Sequence, residues 1–288
     1  MITSPTIRIP AGTFVQGYDH AYPEEAPART VTVAGFEIDS HPVTNAQFAA
    51  FVAATGHVTT AERRGSAVFV RMQAPVDLAD ASSWWRHEPR AWWRRPRGDA
   101  ELTVEHADHP VVAITQADAR AYALWVGGRL PTETEWEWAA GGGEALGPAW
   151  PLADDGMLLA NVWLGEFPWR SIRRDPPGTM PVGSFAPNGF GLFDVLGNVW
   201  ELTADPWTDD HHDPSSPCCS APVTSADATH NATADAGGVV AKGGSFLCAA
   251  NYCRRYRPQA RHRQGLADAA CHVGFRCAYP LGRVAGDG

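Results

Sequence analysis

The sequence predicts an α+β fold: one loop-rich domain with little regular secondary structure. Three observations lead there. The 288 residues include 28 Gly, 23 Pro and 12 Trp, a composition that favours irregular backbone pinned by buried aromatic rings. Three segments carry helix-start signals, and all lie in the first half of the chain. Strand candidates are short and are not interleaved with helices as in a βαβ protein. No linker and no internal repeat divides the sequence, so residues 1–288 are read as a single domain.

Residues 8–16 and 29–39 read as strands, the second alternating apolar and polar positions. Thr44 then opens a helix: Gln47 can complete a capping box, Phe48, Phe51 and Val52 share one face, and Gly56 ends it. Residues 57–109 read as one long loop, with the pairs Trp84-Trp85 and Trp92-Trp93 and the run Arg94-Arg-Pro-Arg97. A loop of that length in a compact domain points to function. A second helix starts at Thr115, turns Ala119, Tyr122 and Trp125 inward, and stops at Gly127-Gly128. A third is capped by Thr132 with Glu135 closing the box. Beyond Gly143 only residues 238–242 and 272–278 read as strands.

The net charge of -9 argues against a nucleic-acid partner. Residues 84–97 and 254–263 nevertheless form two basic patches able to steer an acidic or extended ligand. The N-terminus lacks the basic and apolar regions of a signal peptide, and no run approaches the roughly 18 apolar residues of a membrane span. The expected location is cytoplasmic, with no membrane partner. In that compartment paired cysteines are more often catalytic or metal-binding than structural.

The stretch that invites chemistry is Lys242-Gly-Gly-Ser-Phe-Leu-Cys248-Ala-Ala-Asn-Tyr-Cys253-Arg-Arg-Tyr-Arg257. It sets two thiols five positions apart, behind two glycines and before several arginines. Positive charge favours the reactive thiolate. From the residues alone, a redox pair, a soft-metal clamp and two plain buried thiols all remain open.

With Leu130-Pro-Thr-Glu-Thr-Glu-Trp-Glu, Ala160-Asn-Val-Trp-Leu-Gly-Glu, Pro187-Asn-Gly-Phe-Gly-Leu-Phe-Asp-Val-Leu-Gly-Asn-Val-Trp-Glu201, the Gly-Gly-Ser stretch and Gly274-Phe-Arg-Cys277, the chain resembles the formylglycine-generating enzymes, or sulfatase-modifying factors. The resemblance runs in order over nearly the whole sequence. It implies a variant of the C-type-lectin fold. It also implies a copper-dependent oxidase that uses O2 and an external reductant to convert the cysteine of a Cys-x-Pro-x-Arg segment, in an unfolded or nascent sulfatase, to Cα-formylglycine. A β-hydrogen of the client cysteine is removed and the resulting thioaldehyde is hydrolysed. Cys248 and Cys253 would hold Cu(I), a soft ion matched to thiolates, and Ser245, Trp200 and Tyr252 would line the pocket for oxygen and the client thiol. The alternatives are a non-catalytic lectin-like binding paralogue and an oxidase of the same chemistry acting on another thiol. An ergothioneine-type sulfoxide synthase is disfavoured, because its three-histidine iron motif is absent from the chain.

The resemblance further implies Ca²⁺ at Asp194, Gly197, Val199 and Glu201, a set of hard oxygen donors. A second calcium site would begin at Asn161 and Val162, but residues 169–177 are basic where an acidic ligand belongs, with Asp175 the only stand-in. That site is expected to be weakened or lost. Where disulfide-bearing relatives have cysteines, this chain has Ala123, Ala140 and Pro258, leaving Cys277 unpaired. Cys218-Cys219 is expected as loop thiols, residues 209–213 as an acidic surface loop, and Cys271, His262 and His272 receive no role.

Overall fold

The computed structural model describes residues 4–143, 159–172, 177–211 and 237–282. Cys218, Cys219, His212, Asp213 and Asp175 lie outside these residues.

The first expected strand is two. β1 (Thr6–Ile9) and β2 (Gly12–Gln16) are separated at Pro10, which has no N–H to continue a ladder. The second is also two: β3 (Arg29–Val33) pairs with β2, whereas β4 (Phe36–Asp39) pairs antiparallel with β1. Thus the N-terminal segment makes a hairpin and, separately, two strands of a three-stranded sheet.

The three predicted helices form where their caps place them. α1 (Asn45–Thr55) has the full Thr44/Gln47 capping box and ends on Gly56 in the left-handed conformation, φ 68°. Residues 57–109 are not one loop. Thr59 and Glu62 cap a short α2 (Thr60–Arg64), and β5 (Ser66–Phe69) pairs with β6 (Trp85–Glu88). Five helical residues are too few for a periodic signal, and strand partners so far apart carry no hairpin turn signature. α3 (Gln116–Trp125) and α4 (Glu133–Gly141) follow, each with its predicted N-cap threonine.

Phe48, Phe51, Tyr122 and Phe275 make the centre of the largest core cluster, with Phe48 and Phe51 5.4 Å apart edge to face. A second cluster joins Ile9, Phe36 and Ile38 to Trp136 of α4. Trp84, Trp163, Phe167, Phe246 and Leu247 form a third.

The C-terminal half supplies a four-stranded sheet. β9 (Trp200–Pro206) and β10 (Gly238–Lys242) are central, β11 (Arg261–Gly265) flanks β10, and β12 (Val273–Gly274) lies parallel to β9. Every residue of β10 is buried, which fits the apolar run of residues 238–241, and Lys242 at its end is buried with them. The expected strand at 272–278 is again divided, since β13 (Ala278–Tyr279) crosses to β4. The short hairpin β7 (Gly165–Glu166) and β8 (Arg170–Ser171) completes the elements. The architecture is one α+β domain of small sheets and few helices, rich in loops, as the composition predicts.

Candidate active site

β10 delivers the cysteine stretch. Its last residue, Lys242, is wholly buried and bonds Glu137 Oε2 at 2.8 Å, Glu133 Oε1 at 3.3 Å and the Gln259 carbonyl at 3.2 Å. The chain then leaves the sheet through Gly243 and Gly244, both at positive φ (90° and 80°). A Cβ on Gly243 would stand 2.9 Å from the Val195 carbonyl, and one on Gly244 2.7 Å from that of Arg255. Conformation and space therefore both demand glycine here.

The next residues curl into a tight turn. Cys248 N donates to the Ser245 carbonyl at 2.9 Å, Ser245 N lies 3.4 Å from Cys248 Sγ, and Leu247 N donates to Ser245 Oγ at 3.3 Å. Ala249 N donates to the Cys253 carbonyl at 3.1 Å and closes the loop between the thiols. The two sulfurs end 3.3 Å apart. This is well beyond a disulfide bond of about 2.05 Å, and both cysteines are free. Cys248 is 1 % exposed, whereas Cys253 is only half-buried.

Their protons are unequal. Burial, reinforced by Cys253, raises the Cys248 thiol. Cys253 is lowered to about 7, first by the hydrogen bond from Cys248 and then, against burial, by the Arg255 guanidinium. The open-side sulfur is thus the more acidic of the two, with a less acidic thiol behind it.

Three of the five arginines in residues 254–263 are tied to carboxylates, which narrows the expected basic patch to exposed Arg254 and Arg263. Arg255 bonds Glu24 Oε1 through Nη2 at 2.7 Å and Nε at 3.1 Å, and lies 3.6 Å over the Tyr22 ring. Arg257 pairs with buried Glu25. Arg261, 1 % exposed, bonds Glu133 Oε1 at 2.8 Å. Tyr22, Glu24 and Glu25 belong to a turn between β2 and β3, about 230 residues upstream. Sequence reading missed them because an isolated Pro-Glu-Glu reads as solvated surface. Glu133 is held below the usual carboxylate range: burial raises it, but Lys242, His211 and Arg261 outweigh that. His211, expected on the surface, is instead 4 % exposed and sits 3.2 Å from Glu133 Oε1.

Trp200 on β9 is buried in the core cluster that holds Cys248, and His262 of β11 stacks on it with centroids 5.0 Å apart. Tyr252 is half exposed. Its ring stacks on Phe167 at 4.7 Å and meets Trp84 edge-on at 5.3 Å. Trp84 thus anchors the loop side of the site. Segments of the long first-half stretch also reach a neighbouring cavity of about 450 Å3, where Phe69, Arg71, Arg97, Asp99 and Cys271 meet Phe246 of the Gly-Gly-Ser stretch.

The donor sets can be tested against the ions the sequence implies. Two soft sulfurs, one readily deprotonated and one side open, fit Cu(I). At the other candidate, Asp194, Gly197 and Asn198 all have positive φ (54°, 71° and 58°). Asp194 Oδ2 accepts from Gly183 N at 2.7 Å, but Oδ1 is buried with no partner. A hard cation would satisfy that orphan. Both Glu201 oxygens already face donors: Arg276 Nε and Nη2 at 2.6 and 2.7 Å, and Trp136 Nε1 at 2.8 Å. Gly197 N is tied to the Gly243 carbonyl at 2.9 Å, which joins this loop to the start of the cysteine stretch. Val199 and Val162 are buried beside it. Asn161 Nδ2 donates to the Gly178 carbonyl at 3.0 Å and to Asn198 Oδ1 at 3.1 Å, so it braces the same loop.

Residues 3–281 match the family model of the sulfatase-modifying factor enzyme 1-like domain. A formylglycine-generating enzyme of Mycobacterium tuberculosis is 47 % identical, covering 94 % of this chain and 96 % of that one. The inactive C-alpha-formylglycine-generating enzyme 2 of Mus musculus is 35 % identical, over 96 % and 86 % of the two chains. Among solved structures, PvdO from Pseudomonas aeruginosa superposes with a TM-score of 0.65 at 24 % identity, over 96 % and 94 %, and shares the fold. The chain belongs to the sulfatase-modifying factor enzyme 1-like family.

Proposed function

We propose that this protein is a copper-dependent, O2-using oxidase that converts the cysteine of a Cys-x-Pro-x-Arg segment in an unfolded or nascent sulfatase to Cα-formylglycine. The observation that carries the reading is the pair Cys248 and Cys253, unbonded at 3.3 Å with one sulfur buried and the other open. The name of the 47 % identical relative supports the same activity. A scaffold kept only for binding would have no need of two free thiols in contact.

Cys248 and Cys253 would hold the copper, which supplies one-electron chemistry with O2. The hydrogen bond with Cys248 and the Arg255 guanidinium make Cys253 the more acidic thiol, and the turn bonds of Ser245 hold Cys248 in place. Trp200 walls the buried side against water and Tyr252 stands at the open side. The client's flanks would lie across the adjoining cavity, where Asp99 offers a carboxylate to the client arginine. An external reductant restores the centre. Calcium at the Asp194 loop would brace the Gly243 turn. We place the protein in the cytoplasm, where its described cysteines stay reduced. It needs neither nucleic acid nor a membrane.

The test is to load the reduced protein with Cu(I), supply O2, a reductant and a Cys-x-Pro-x-Arg peptide, and look by mass spectrometry for an aldehyde-reactive product. Absence of that product overturns the enzyme reading in favour of a binding paralogue. Product only from other thiols would favour an oxidase with a different client.

A further inference from the structure

Away from the thiol pair, two imidazoles that share a cavity are left without a role. His106 and His109 both line the cavity of about 450 Å3 that Phe246 borders. Their ring centroids are 5.1 Å apart, with the planes tilted by 50°. Each Nδ1 meets a threonine hydroxyl: His106 that of Thr103 at 3.1 Å, His109 that of Thr179 at 2.9 Å. Neither Nε2 has a hydrogen-bond partner among the described residues.

Thr103 stands at the N-cap of the 3-10 turn Val104–His106, yet its side chain makes no cap bond. A threonine there ordinarily accepts from the N–H groups of the turn; this one is turned to the imidazole. Thr179 reaches His109 from 70 residues further along the chain. The backbone of the pair is pinned too. Asn45 N donates to the His109 carbonyl at 2.9 Å, and Asn45 Nδ2 to that of His106 at 3.0 Å, so the first residue of α1 holds both. When each hydroxyl accepts the Nδ1 proton, the lone pair of each ring lies on Nε2, which is how an outer partner orients an imidazole ligand.

The spacing suits a shared ion. An ion about 2.0–2.1 Å from one nitrogen of each ring lies roughly 3.2 Å from each centroid, and a tetrahedral angle then sets the centroids about 5 Å apart. The charged residues of the cavity wall, Arg71 and Arg97 against Asp99 and Glu101, balance, so no net charge opposes a cation. We propose that His106 and His109 bind one divalent ion of borderline softness, Zn2+ or Cu2+, through their two Nε2 atoms, imidazole being a ligand that suits both. Among the described residues no set of three histidine, cysteine or acidic side chains could hold a metal. The ion therefore keeps positions open to the cavity, for water or for a carbonyl or carboxylate of a chain lying there.

The inference stands apart from the oxidase reading: its tests use no O2, no Cu(I) and no client peptide, so either can fail alone. In Cys248→Ser/Cys253→Ser protein, where the thiol pair cannot compete, Zn2+ and Cu2+ are titrated separately against a chromophoric chelator. The pair should take one ion per chain, Cu2+ more tightly than Zn2+. His106→Gln and His109→Gln should each weaken that site more than about tenfold, and Thr179→Val about tenfold, the scale for loss of an orienting partner. Histidine variants that bind both ions as their parent does overturn the proposal, as does a parent that binds neither.

A second measurement uses the wild-type chain and so does not depend on how the variants fold. Diethyl pyrocarbonate modifies neutral imidazole. Zn2+ at ten times its dissociation constant should slow modification of His106 and His109 about tenfold, in proportion to the sites left empty, as read by peptide mapping. Equal modification with and without Zn2+ overturns the proposal.

Discussion

Glu24 holds Arg255 through two hydrogen bonds of 2.7 and 3.1 Å, and Arg255 in turn stabilises the Cys253 thiolate. A carboxylate thus shares the guanidinium with a sulfur and moderates its pull. In copper-free protein, Arg255→Gln should move the midpoint of Cys253 alkylation upward from about 7, and Glu24→Gln should move it downward. The rate of iodoacetamide labelling against pH reads both, and an unshifted midpoint in both variants would remove Arg255 from the thiol's electrostatics.

Cys248 is the structural thiol of the pair and Cys253 the accessible one. Mild oxidant should label or cross-link Cys253 first in wild type. In Cys253→Ser, the remaining Cys248 should be labelled more than tenfold slower than Cys253 is in wild type, because that sulfur is buried and burial raises its thiol. Peptide mapping after short labelling provides the comparison. Copper binding should be lost in either single serine variant.

Burial pushes the Asp194 carboxyl up to about 6. A folded-state value above the unfolded value of about 3.9 means this group favours folding at low pH, and its contribution is lost as pH rises through about 6. A bound cation reverses that loss by stabilising the carboxylate. Calcium should therefore raise the melting temperature more at pH 7 than at pH 5. Asp194→Ala should abolish the increment, and equal shifts at both pH values would argue against calcium at this loop.

Lys242 satisfies two buried carboxylates at once. Lys242→Met should cost about 3–5 kcal/mol, since Glu133 and Glu137 lose a shared counter-charge in the core. Urea unfolding measures it. Lys242→Arg should recover little, because a planar fork does not fit a site shaped for a compact ammonium.

Much of this site was legible in the sequence because its demands are local. Thr44, Thr115 and Thr132 announce their helices through bonds to residues three positions on. Gly243-Gly244 marks a turn that only glycine can make, and the spacing of Cys248 and Cys253 fits the turn that joins them. What was hidden depends on distant partners. Nothing near Glu24 in the chain indicates that it faces Arg255, nor does anything near His211 indicate burial against Glu133. The splitting of residues 29–39 and 272–278 between different sheets is likewise set by strand pairing across the chain, which periodicity cannot reveal.

The turn that carries Tyr22, Glu24 and Glu25 has a consequence for the order of assembly. It precedes its partners Arg255 and Arg257 by about 230 residues and so is synthesised well before them. β4, also early, must likewise wait for β13. During synthesis the two cysteines therefore emerge onto a scaffold whose acidic anchors are already waiting, and these two distant segments must meet before the Cys253 side of the pair takes up its folded surroundings. Until the two segments meet, Arg255 lacks the carboxylate and the Tyr22 ring that hold it in place, so the folded setting of the sulfur pair is completed late.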